Sequence, residues 1–123
     1  MIAAAPTFGS RLRELRHARG VSQRELAEAC GIDHTYLSKL ETDAEALRGY
    51  SASSALLFRL AYALKTDADE LFLAARRAPP TVEHLLVTND AARAFYRRAV
   101  TLSLSDAEWD RLRREMERMA GAG

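Results

Sequence analysis

The sequence predicts an all-α protein, with five helices in its N-terminal part and a small helical segment behind them. Apolar residues recur at spacings of three and four, and no stretch alternates as the strands of a half-buried sheet do. Capping residues and glycines mark the ends of these periodic stretches. Two prolines, Pro79 and Pro80, interrupt the pattern after the fifth helix. With 48% hydrophobic and 28% charged residues, the 123-residue chain has the composition of a globular protein.

Helix ends are marked by glycines and by short polar side chains. Gly20 and Gly31 stand where the first two helices stop, and each suits the left-handed conformation of a helix C-terminus. Asp33 is expected to cap the third helix. The pairs with the spacing of a capping box are Ser22 with Glu25, Asp67 with Glu70 and Ser105 with Glu108.

These signals bound the predicted helices. They run over about 8–19, from the cap at 22 to the stop at 31, and over about 33–41, 54–64, 67–75, 82–87, 89–101 and from 105 onward. The residues expected to face inward in the first four are Phe8, Leu12, Leu15, Leu26, Ala29, Leu37, Leu40, Leu57, Leu60, Ala61 and Leu64. The first five helices are expected to share one core.

We expect three segments: a disordered N-terminus at 1–6, a folded domain at 7–77 and a helical oligomerisation or regulatory segment at 78–123. The polar connection "TDAEALRGYSAS" is longer than most loops of compact domains, which suggests a working loop. The N-terminus lacks the features of a signal peptide, and no run approaches the roughly 20 apolar residues of a membrane span. One cysteine allows no internal disulfide. These features predict a cytoplasmic protein.

Residues 22–41 have the pattern of two short helices joined by a tight turn. Ala27 is small enough to let a second helix axis cross close by, Gly31 permits a positive φ, and Ile32 fills the corner. The six residues that make the spacing specific are Leu26, Ala27, Gly31, Ile32, Leu37 and Leu40. This pattern predicts a helix-turn-helix.

The stretches "RLRELRHARGVSQRELAEACGIDHTYLSKLE" and "LFRLAYALKTDADELF" resemble the Xre family of phage-repressor-like regulators, the lambda repressor and Cro group. The resemblance covers about residues 8–75 and implies a five-helix fold that binds operator DNA as a dimer. The connection after Glu41 departs from it, because it is about five residues longer than is usual in the family and replaces a glycine-rich turn. That departure puts the backbone contacts of this loop in doubt.

The resemblance implies that the third helix enters the major groove with its N-terminal residues leading. The expected base-contacting residues are His34, Thr35, Tyr36, Ser38 and Lys39. Imidazole and hydroxyl groups can donate to or accept from base edges, and a methyl group or aromatic ring can contact a thymine methyl.

Phosphate contacts are expected from the second helix and from a local basic cluster. The whole chain has a net charge of only +1, but residues 11–24 hold five arginines and one glutamate. The expected phosphate-contacting residues are Gln23, Arg16, Arg19 and Arg24, with Arg48 and Tyr50 in the long loop. Glu41 would be unfavourable beside DNA, so we expect it to pair inward with an arginine such as Arg16.

The C-terminal segment carries more apolar surface than so short a segment can bury alone. Four residues of its last helix, at positions 109, 112, 116 and 119, have the spacing of a seam for a partner helix. The expected dimerisation residues are Phe95, Tyr96, Trp109, Leu112, Met116 and Met119. The alternatives are packing against the N-terminal domain, or binding a regulatory protein such as a toxin, an antirepressor or a metallopeptidase.

The expected function is that of a sequence-specific transcriptional regulator, most simply a repressor that binds a pseudo-palindromic operator as a homodimer. An antitoxin or adaptor is the competing class. Catalysis is not expected, because the sequence has no glycine-rich phosphate loop and no serine elbow. No metal or cofactor is expected either, since His17, His34 and His84 lie far apart and no cysteine pair exists.

Overall fold

The computed structural model describes residues 7–42 and 52–121, and these fold into helices without a strand. In chain order the helices are α1 (Phe8–Arg19), α2 (Gln23–Cys30), α3 (His34–Thr42), α4 (Ser54–Leu64), α5 (Ala68–Ala74), α6 (Pro80–Thr88), α7 (Asp90–Leu102) and α8 (Asp106–Gly121). The all-α prediction is confirmed. The predicted disordered N-terminus at 1–6 and most of the predicted working loop, at 43–51, lie outside the described residues.

The described residues divide into two compact units, 7–42 with 52–83, and 84–121. The division falls inside α6, whereas the predicted boundary before residue 78 remains a prediction.

The first unit has one hydrophobic core, to which α1 to α5 all contribute. Its fully buried large side chains include Leu12, Leu26, Leu37, Leu40, Leu57, Leu60, Leu64, Leu71 and Phe72. Helix α1 packs against α3, α4 and α5, and α2 packs against α3 and α4. Helix α3 is held on its inner face by both α1 and α2, and no other described helix packs extensively against it.

The predicted inner face of α2 is wrong at one position. Ala29 is exposed, and Ala27 and Cys30 are buried beside Leu26 instead. The helical period explains the difference, because positions 26, 27 and 30 form one stripe whereas position 29 lies to its side. Burial also raises the pKa of the Cys30 thiol.

Two of the three predicted capping boxes are present. The Ser22 hydroxyl accepts from the Glu25 N–H and the Glu25 carboxylate accepts from the Ser22 N–H, with the same reciprocal pair at Ser105 and Glu108. The third box is wrong in its second half. Asp67 does cap α5, but its partner at position 70 turns away from the cap.

The carboxylate of Glu70 is used between helices rather than at a cap. It accepts from Arg11 of α1 at 2.5 Å and from the Thr66 hydroxyl at 3.0 Å. The bond to Glu70 is the main reason that the pKa of Arg11 is raised, with Glu14 adding to it. A partner 59 residues away thus displaced the local capping contact.

The proline pair begins a helix as well as interrupting one. Pro80 is the first residue of α6, where the missing N–H costs no hydrogen bond and the fixed φ suits the first turn. The helix therefore starts two residues before the predicted Val82. The Thr81 hydroxyl donates to Asp69 of α5 at 2.5 Å, which ties this start to the first unit.

Candidate nucleic-acid interface

The turn between α2 and α3 has the geometry that its glycine predicts. Gly31 adopts φ 67° and ψ 32°, in the left-handed region. The Ile32 N–H donates to the Ala27 carbonyl at 3.0 Å and the Gly31 N–H to Glu28 at 3.2 Å, which satisfies the last carbonyls of α2. Ile32 itself is partly buried against the core. The turn therefore ends α2 and leads within three residues to the start of α3.

Asp33 directly precedes α3 and caps its first turn, as predicted. Its Oδ1 accepts from the Thr35 N–H at 2.7 Å. This hydrogen bond is the main reason that the pKa of the Asp33 carboxyl lies below its ordinary value. Because the backbone at the helix start is held by a side chain, the following residues keep fixed positions.

The leading edge of α3 is open. His34, Thr35 and Lys39 are exposed, Tyr36 keeps 36% of its surface exposed, and Ser38 is half-buried. None of these five side chains makes a hydrogen bond or ion pair within the part of the chain that the structure describes. Leu37 and Leu40 hold the inner face of the same helix with no exposed surface. The helix is thus fixed on one side and presents free polar groups on the other.

The far end of α3 is anchored by a buried ion pair with α1. The Arg16 Nε donates to Glu41 Oε2 at 2.7 Å, and Arg16 Nη2 donates to Glu41 Oε1 at 3.0 Å. The Glu41 side chain is 1% exposed and that of Arg16 is 11% exposed. Arg16 Nη1 also donates to the Val21 carbonyl at 3.0 Å. The predicted inward pairing of Glu41 with Arg16 is confirmed, and this arginine uses all three nitrogens inside the protein.

Two more side chains converge on the end of α3. Gln23 Nε2 donates to Glu41 Oε1 at 3.1 Å, and Arg13 Nη2 donates to the Glu41 carbonyl at 3.0 Å. Gln23 keeps one N–H free for a further partner, because a primary amide has two. The start of α2, the middle of α1 and the end of α3 therefore share one hydrogen-bonded network around Glu41.

Two further predicted phosphate contacts, Arg19 and Arg24, differ in whether their side chains bond within the protein. Arg19 donates to the carbonyls of Leu64 and Lys65 at 2.9 Å and 3.2 Å, which links α1 to the end of α4. Arg24 is exposed and has no hydrogen bond or ion pair among the described residues. Arg48 and Tyr50 lie outside the described residues.

The predicted dimerisation residues lie on α7 and α8 in the second unit. Five of them are 44–69% exposed and Leu112 is half-buried. Among the described residues of this unit only Ala99 and Asp110 are buried. Asp110 accepts from Arg113 and pairs with Arg114, both at 2.9 Å, and these arginines hold the pKa of its carboxyl below the ordinary value. The unit therefore leaves most of its apolar surface in contact with water.

No group of three or more histidine, cysteine, aspartate or glutamate side chains in residues 7–42 and 52–121 could hold a metal ion. No helix in the same ranges is long and apolar enough to cross a membrane.

Comparison with known proteins gives one finding. A family model described as a helix-turn-helix domain matches residues 7–74, which is more than half of the chain. No curated protein and no solved structure gives a significant match.

Proposed function

We infer that this chain, which belongs to the helix-turn-helix domain family, is a sequence-specific transcriptional regulator of the phage-repressor-like group. It acts on double-stranded DNA and has no chemistry of its own. The observation that carries this proposal is the open edge of α3. Free polar side chains are displayed there by a helix whose inner face and far end are buried and bonded.

The proposed base contacts come from the first turns of α3. His34, Thr35 and Tyr36 meet base edges in the major groove, and Ser38 and Lys39 meet a further base or a phosphate. A helix in this groove presents its N-terminal residues first, and these are the exposed ones. The network around Glu41 supports these contacts, because it holds the end of α3 against α1 and so helps to set the orientation of the helix.

The proposed phosphate contacts divide by what else each side chain does. Arg24 is the leading candidate, since it is exposed and unpaired among the described residues. Gln23 and Arg19 have N–H groups left after their internal bonds. Arg16 is assigned a positioning role ahead of a phosphate contact, because it is almost buried. Arg48 and Tyr50 remain proposed contacts from the loop.

The regulator is proposed to bind as a homodimer through α7 and α8. A single helix-turn-helix reads only a few base pairs, whereas a twofold dimer reads two half-sites about 34 Å apart. The exposed apolar face of the second unit supports this arrangement, since a second copy would cover it. Occupying a pseudo-palindromic operator in this way blocks transcription, which makes repression the simplest role.

A second candidate function rests on the same apolar face. An antitoxin or adaptor would use Trp109, Met116 and Met119, which are 44%, 64% and 69% exposed, to hold a different protein. In this role the chain would bind a toxin, an antirepressor or a metallopeptidase, and DNA recognition would be secondary to that contact.

One experiment separates these functions. The purified protein is incubated with fragments of its source genome, including those near its own gene, in the presence of competitor DNA. The proposed regulator enriches a fragment with two half-sites, and its affinity falls steeply as salt rises. Binding without sequence preference, together with tight co-purification of a neighbour-encoded protein, would support the adaptor instead.

A further inference from the structure

A cavity in the second unit is lined by α7, α8 and the turn between them. Its volume is about 380 Å³, within the usual range of small-molecule sites. Five apolar side chains form most of its wall: Phe95, Ala99, Leu102, Leu104 and Leu112. All of the lining belongs to one unit, so the cavity is formed within α7, α8 and the turn between them.

Two cationic side chains stand at this apolar cavity. Arg98 and Arg111 line it and neither makes a hydrogen bond or ion pair among the described residues. Glu108 is the carboxylate of the lining, and its Oε1 is already bonded to the Ser105 N–H at 3.1 Å as part of the helix cap. The Ser105 hydrogen bond is the main reason that the pKa of Glu108 is lowered, and attraction to Arg111 adds to it. Arg98 therefore stands as the cation of the lining without a charged partner among the described residues.

An unpaired guanidinium beside apolar surface favours a particular kind of occupant. A purely apolar molecule would desolvate the arginines without replacing their hydrogen bonds, which is unfavourable. A small, strongly charged anion would leave the apolar wall unfilled. A molecule with an apolar body and one anionic end satisfies both parts, because guanidinium binds carboxylate through two parallel N–H bonds.

We propose that this cavity is a binding site for an amphipathic monoanion, a medium-chain carboxylate. The chain body lies between Phe95, Leu102 and Leu112, and the carboxylate meets Arg98 and Arg111. Phe95 and Leu112 also belong to the proposed dimerisation surface. The bound molecule therefore competes with the second copy for this apolar surface and weakens self-association, which rests on the proposed function.

Decanoate is the probe, used below the concentration at which it forms micelles, with the full-length protein. Trp109 is the only tryptophan of the chain and adjoins Glu108 of the lining, so its fluorescence reports on the site. We expect saturable binding of decanoate. Decanol lacks the anion and butyrate lacks the apolar body, so each should bind at least about tenfold more weakly.

Two matched variants test the contact. Arg98→Gln should weaken decanoate binding about tenfold, whereas Arg97→Gln, which removes an exposed neighbouring arginine outside the lining, should not change it. Circular dichroism confirms that both variants keep their helices. Equal binding of decanol and decanoate, or equal effects of the two variants, would overturn the proposal.

Mass measurement in solution tests the regulatory step. Decanoate should shift the protein from dimer to monomer, and Arg98→Gln should need about tenfold more decanoate for the same shift. If the protein dimerises and decanoate leaves both the dimer and the Trp109 signal unchanged, the second copy fills the cavity and the proposal is wrong. DNA binding measured without decanoate does not require decanoate to bind, so the proposed function can hold when this proposal fails.

Discussion

Arg16 of α1 and Glu41 at the end of α3 form a doubly hydrogen-bonded ion pair, at 2.7 Å and 3.0 Å, with the carboxylate 1% exposed. A buried charge is tolerated only when it is paired and hydrogen-bonded. Breaking such a pair by removing one partner is far more costly than replacing both. The pair therefore makes the position of α3 depend on α1.

Replacing Arg16 by methionine should lower the free energy of unfolding by about 3 kcal/mol, because Glu41 loses its main partner. Urea denaturation measures the change. Arg24→Met is the control, since Arg24 is exposed and unpaired among the described residues. The double variant Arg16→Met/Glu41→Leu should recover part of the loss. Equal stability of the two arginine variants would show that the pair does not anchor α3.

Glu41→Gln tests the carboxylate itself. The amide keeps the shape of the side chain but loses the negative charge facing Arg16, so both stability and DNA affinity should fall. The first is read from urea denaturation and the second from operator titration. If neither changed, the positioning role of Glu41 would be wrong.

Two helix caps should make stability depend on pH. Glu25 accepts from the Ser22 N–H at 3.0 Å and Asp33 from the Thr35 N–H at 2.7 Å, and these bonds hold the pKa of both carboxyls below their ordinary values. A lowered pKa in the folded state stabilises the protein above the unfolded-state pKa of about 4. That contribution is lost as the pH falls through the folded-state value.

Thermal unfolding followed by circular dichroism measures this effect. The Tm of the unmodified protein should fall as the pH is lowered from about 5 to about 3. The double variant Glu25→Gln/Asp33→Asn should show a shallower fall, because its amides keep an acceptor oxygen and do not titrate. Glu28→Gln serves as control, since that exposed side chain accepts no hydrogen bond among the described residues. Equal slopes in all three proteins would exclude a role of the caps.

Local sequence patterns predicted the helices well. They predicted the candidate site less completely, because long side chains there bond to residues that are distant in sequence. The helix ends at Gly20 and Gly31 follow from single residues, and the structure places both in the left-handed region. Arg19 and Gln23 were predicted as phosphate contacts. Their internal partners lie 45 and 18 residues away, which no local spacing reveals. The surplus of arginine over acidic residues in α1 was the one available signal, and it fits structural bonds as well as DNA.

Self-association should depend on the seam of α8. Met116 is 64% exposed, and Met116→Glu places a charge on the seam, which should convert a dimer into a monomer in sedimentation equilibrium. Ala107→Glu adds the same charge at an exposed position away from that seam and should leave the dimer intact. The operator affinity of Met116→Glu should fall as well, because half-sites are then bound singly. A monomeric unmodified protein, or equal behaviour of both variants, would contradict dimerisation through α8.

The open edge of α3 is proposed to read DNA sequence, and binding profiles measured across operator variants test this role. His34→Ala and Tyr36→Ala should each lose about 1–3 kcal/mol of discrimination at particular base pairs. Arg24→Ala should weaken binding to all variants alike; Arg24 is preferred to Arg19 here because Arg19 also holds the end of α4. Base-specific changes are expected for the α3 variants and a uniform change for Arg24→Ala. The same profile for all three variants would show that α3 does not read the base sequence.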